Sequence, residues 1–67
     1  MYALEYSLTQ KAFHTAPLEE VLAKNFKDYK DGRLDIGQWI ILATGGQEAM
    51  SRMAIRLTND QKFFKHI

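Results

Sequence analysis

Along the first positions of the chain apolar residues alternate with small or polar ones. Tyr2, Leu4, Tyr6 and Leu8 stand against Ala3, Glu5, Ser7 and Thr9. A period of two places the first set on one face of a strand. A helical rival exists, because Leu4, Leu8 and Ala12 recur every four residues and Ala, Leu and Glu favour helix. A lone strand cannot satisfy its own backbone donors and acceptors. Its partner within the chain would be residues 61–67, and otherwise another molecule.

From residue 16 the period lengthens. Leu18, Val21, Leu22, Phe26 and Tyr29 share one stripe, Pro17 suits a first turn after Thr15 or Ala16 as cap, and Glu19 and Glu20 oppose the helix dipole. Residues 16–30 are therefore expected to be a helix, with Glu20, Lys24 and Asp28 laddered along its solvent face. Asp31-Gly32-Arg33 stops it. Asp35 and Gln38 have the spacing of a capping box, and Leu34 and Trp39 that of a hydrophobic staple, so a second helix is expected over 35–45. Gly45-Gly46 would end it. A third helix is expected over 47–58, with Ala49, Met50, Met53, Ala54 and Leu57 inward and Glu48 one turn from Arg52.

The expected fold is mainly α: one small three-helix domain over residues 1–67 with short terminal segments. The alternative is α+β, with residues 2–9 and 61–67 as strands. The expected core is Leu18, Val21, Leu22, Phe26, Ile36, Trp39, Ile40, Met50, Met53, Ala54 and Leu57, with Trp39 as its anchor.

Composition narrows the function. With 67 residues there is room for one domain and little enclosed core. Nine basic residues against eight acidic ones, a net charge of +1, are too balanced for non-specific polyanion binding. No cysteine is present, which removes disulfides and thiolate metal sites. The longest apolar run, Trp39-Ile40-Ile41-Leu42-Ala43, is far short of a membrane span, and the N-terminus lacks the pattern of a signal peptide. A cytoplasmic protein that does not engage a membrane is expected.

Motifs that carry chemistry are sparse. Asp31-Gly32-Arg33-Leu34-Asp35, preceded by Phe26, resembles the second half of a calcium-binding EF-hand loop. The first, third and twelfth positions of that loop fall on Lys27, Tyr29 and Gln38, and Asp31 and Asp35 alone cannot supply the six to eight oxygens that calcium needs. His14 and His66 are far apart, with none of the spacing of a zinc site, and are read as exposed or hydrogen-bonded. Neither a nucleophile elbow nor a glycine-rich phosphate loop appears, and Glu48 would oppose a phosphate after Gly45-Gly46. No enzyme, metal, cofactor or small-molecule substrate is expected.

Residues 36–57 have the outline of a DNA-binding helix-turn-helix, with Gln47, Ser51, Arg52 and Arg56 on the reading helix. The second half of the chain carries four basic residues against two acidic ones, thin for phosphate contacts, and Arg52 falls where the motif wants an apolar residue. The favoured reading is a protein-interaction module: a regulator, adaptor or inhibitor docking on a larger protein or on itself as a homodimer. Small inhibitors carried by phages or mobile elements are of this size. Ile41, Leu42 and Ile55 lie off the expected inward stripes and, with Arg52 and Arg56, are the candidate partner-binding residues.

Overall fold

Tyr2–Ser7 forms the strand on which everything else is assembled, β1, in a computed structural model that describes residues 1–32, 39–62 and 64–67. The chain turns at residues 8–11 and returns antiparallel as β2, Ala12–Pro17, in a register that opposes Ser7 to Ala12 and Tyr2 to Pro17. The turn carries no Gly, Pro, Asn or Asp. Lys11 takes the left-handed conformation at φ 51°, and the Gln10 amide donates to Ser7 Oγ at 3.2 Å. Helix α1, Leu18–Lys30, follows Pro17 directly and ends at Asp31 and Gly32, the latter at φ 70°, where a side chain would be strained.

Strand β3, Ile40–Gly45, lies antiparallel along the other side of β1, with a bulge where the register shifts between Leu4 and Glu5. Gly46 caps α2, Gln47–Asp60, and the two-residue strand β4, Lys65–His66, pairs parallel with β2. The Lys65 amide donates to the Lys11 carbonyl and the Ile67 amide to the Phe13 carbonyl, each at 2.9 Å. The sheet order is β3-β1-β2-β4.

The fold is thus α+β, among the described residues a mixed four-stranded sheet with two helices, and not a three-helix domain. The second helix expected over 35–45 is overturned by β3; residues 33–38, with the capping box and Leu34 of the staple, lie outside the described residues. The physical reason is local. Ile40, Ile41 and Thr44 are β-branched and prefer a pleated surface, and β1 offers an edge that needs pairing. The alternative of terminal strands holds for β1, but its neighbours are β2 and β3. The C-terminal strand pairs with β2 instead.

Alternation along β1 divides the core between two faces. Tyr2, Leu4 and Tyr6 share the face of Phe13 and Ala43, and onto it α2 lays Met50, Ala54 and Leu57. The Phe13 and Phe64 rings stack at 5.0 Å on this side. Ala3, Glu5 and Ser7 point to the opposite face, with Ala12, His14 and Ala16, where Val21 of α1 covers part of it. β1 is consequently buried on both faces over Ala3, Leu4 and Glu5.

Of the expected core, Val21, Met50 and Ala54 are buried and Leu18, Trp39 and Leu57 are half-buried. Ile36 lies outside the described residues, and Leu22, Phe26, Ile40 and Met53 are exposed. In α1 the positions turned inward are Leu18, Val21, Asn25 and Asp28, while the apolar stripe through Leu22, Phe26 and Tyr29 faces outward, with Phe26 66% exposed. Among the described residues no helix is long and apolar enough to cross a membrane.

Candidate functional site

The hairpin register sets Glu5 directly opposite His14, and their side chains meet: His14 Nδ1 lies 2.9 Å from Glu5 Oε1. With Glu5 as a carboxylate, which only accepts, Nδ1 is the donor of this bond. In the neutral ring this leaves Nε2 as an acceptor, and among the described residues it meets no partner. Glu5 sits on the central strand with 4% of its surface exposed, whereas His14 is half-buried at the rim. Burying a carboxylate in so small a domain is costly unless it is hydrogen-bonded, and His14 supplies that bond.

This pair forms part of a cleft of about 370 Å³ between the sheet and α1. Ala16, Val21 and Ile67 give it apolar walls, and Gln10, Glu20 and Lys24 stand at its margin. Trp39, expected as a core anchor on a second helix, instead precedes β3 and tilts its indole against the His14 ring, with centroids 5.7 Å apart and planes at 57°. The arrangement offers one directed hydrogen-bond acceptor beside an aromatic wall. Among the described residues no three metal-ligating side chains converge here or elsewhere.

The residues singled out from the sequence divide between two other elements. Ile41 and Leu42 are on β3, where Ile41 is half-buried on the face of Glu5 and Leu42 is 50% exposed. Leu42 borders a shallow apolar recess with Tyr6, Phe13, Leu57, Gln61 and Phe64. Ile55, Arg52 and Arg56 are on α2, where Ile55 is 54% exposed and Arg52 is paired with Glu48 one turn earlier. Arg52 and Arg56 flank an open depression with Ala49 and Met53. Because Ile40–Gly45 is a strand, α2 is not the second member of a helix-turn-helix.

Sequence reasoning missed Glu5 and His14 as a unit. The signal was available only through the hairpin: once β1 and β2 are paired at Ser7 and Ala12, the register brings residue 5 to residue 14. No family model, curated protein or solved structure matches the chain.

Proposed function

We propose that this chain is a small, non-enzymatic, cytoplasmic protein-interaction module of the regulator, adaptor or inhibitor kind, and that it associates by main-chain pairing at β3. The observation that carries the reading is the contrast between the two sheet edges. β4 is two residues long and carries Lys65, as a guarded edge does. β3 is six residues long, without charge or proline, and among the described residues its single protective device is the bulge near Leu42. An open, uncharged edge is a template for another strand.

The occupant is β3 of a second copy. Pairing about a two-fold axis sets one uncharged edge against the same edge, and a net charge of +1 per chain gives little repulsion between copies. Pairing with β4 would offer only two residues and a lysine. DNA binding by α2 has weaker support, since Arg52 already pairs with Glu48 and the helix that should precede α2 is a strand.

Light scattering at tens of micromolar tests the proposal. The wild-type chain and the double variant Arg52→Ala/Arg56→Ala should be dimers. Leu42→Lys and, separately, Thr44→Lys should be monomers with an unchanged far-UV spectrum. A wild-type chain that stays monomeric, or a folded Thr44→Lys that dimerises like wild type, overturns it.

A further inference from the structure

We infer that the cleft between α1 and the sheet binds a small neutral aromatic molecule bearing a hydroxyl donor, a phenol, with the ring against Trp39 and the hydroxyl on His14 Nε2. The inference does not rest on pairing at β3, although Trp39 immediately precedes that strand. It starts from Glu5. A carboxylate on the innermost strand, 4% exposed, is not needed for the hydrophobic core: Ala3 and Ala12 on the same face are fully buried with no polar partner on their side chains. What Glu5 does is orient the His14 ring: in the neutral ring with Nδ1 donating to the carboxylate, Nε2 is left as the acceptor. In that tautomer the acceptor is directed before any ligand arrives, which is how binding sites obtain specificity from one polar group.

The rest of the cleft defines the body of the ligand. Its volume, about 370 Å³, falls at the small end of ligand sites. Ala16, Val21 and Ile67 offer apolar contact, and Trp39, already tilted at 57° to His14, provides a ring edge and face for a second aromatic group. Formal charge speaks against a simple anion or cation. Lys24 and Glu20 both stand at the margin, one turn apart on α1, so their fields largely cancel at the cleft, and Glu5 is already engaged by His14. A neutral ring with one donor matches the His14 acceptor and the apolar walls of the cleft.

The discriminating experiment compares p-cresol with its O-methyl ether, which has the same ring and no donor. Trp39 is the only tryptophan, so its indole N–H resonance reports directly on the cleft in a ¹H–¹⁵N spectrum. With p-cresol, saturable shifts are expected at the Trp39 indole and the His14 ring, and the ether should bind at least tenfold more weakly. His14→Phe keeps an aromatic ring of similar size and removes the acceptor, and should bind both compounds alike. Equal binding of the two compounds by the wild-type chain, or no saturable shift with either at millimolar concentration, overturns the inference whether or not His14→Phe folds.

Discussion

Lys11 shows how a single residue hid the hairpin. A tight turn is normally announced by Gly, Asn, Asp or Pro, and residues 8–11 contain none of them. The left-handed conformation falls on Lys11, at a cost of about 1 kcal/mol that glycine would not incur. Lys11→Gly should therefore raise the unfolding free energy by up to about 1 kcal/mol, read from the urea midpoint, less what the freer unfolded chain returns. With the turn unseen, β2 was unseen, and with β2 the opposition of Glu5 to His14. Leu4 has the opposite character. Its place in an alternating strand was legible, and it is the largest apolar side chain with no exposed surface. Leu4→Ala should cost about 2–5 kcal/mol, a large share of the 3–10 kcal/mol usual for a domain of this length, and equilibrium denaturation measures it. Glu5→Ala removes the partner of a half-exposed histidine and should cost less, roughly 1–2 kcal/mol in the same assay.

Among the elements, α1 and α2 were legible to within a few residues because each combines a long period with end signals. Gly32 stops the first, and Gly46 stands just before the second. What the pattern of α1 did not disclose is which way the helix turns. The sheet face beneath it is built of Ala3, Glu5, Ala12, His14 and Ala16, too small and polar to draw a stripe of aromatic residues, and Val21 alone is buried there. Phe26→Ser should accordingly change stability by less than about 0.5 kcal/mol, where a buried phenylalanine would cost about 3–5 on truncation to alanine; thermal unfolding separates the two. β3 departs from the expected helix for a different reason. Five consecutive apolar residues fit both a buried strand and a buried helix, and periodicity alone cannot arbitrate over so short a run. Its branched residues and the vacant side of β1 settle the matter, and the second of these is a property of the whole sheet.

At the scale of the molecule, each connection after the hairpin carries the chain across the sheet. α1 takes it from β2 past β1 to β3, and α2 takes it from one edge to the other, to β4. Such an order is not legible locally, since it depends on which strands pair at distance. It leaves β1 flanked by strands on both sides and packed on both faces, while among the described residues α1 buries Val21 alone and β4 is paired along one side. That inequality has a consequence in time. In deuterated solvent the rims should open first, so the amides of α1 beyond Val21 and of β4 should exchange early by local fluctuation. The amides of Ala3, Leu4 and Glu5 should wait for the whole domain to come apart, and their exchange rate, converted to a free energy, should equal the global stability measured by urea.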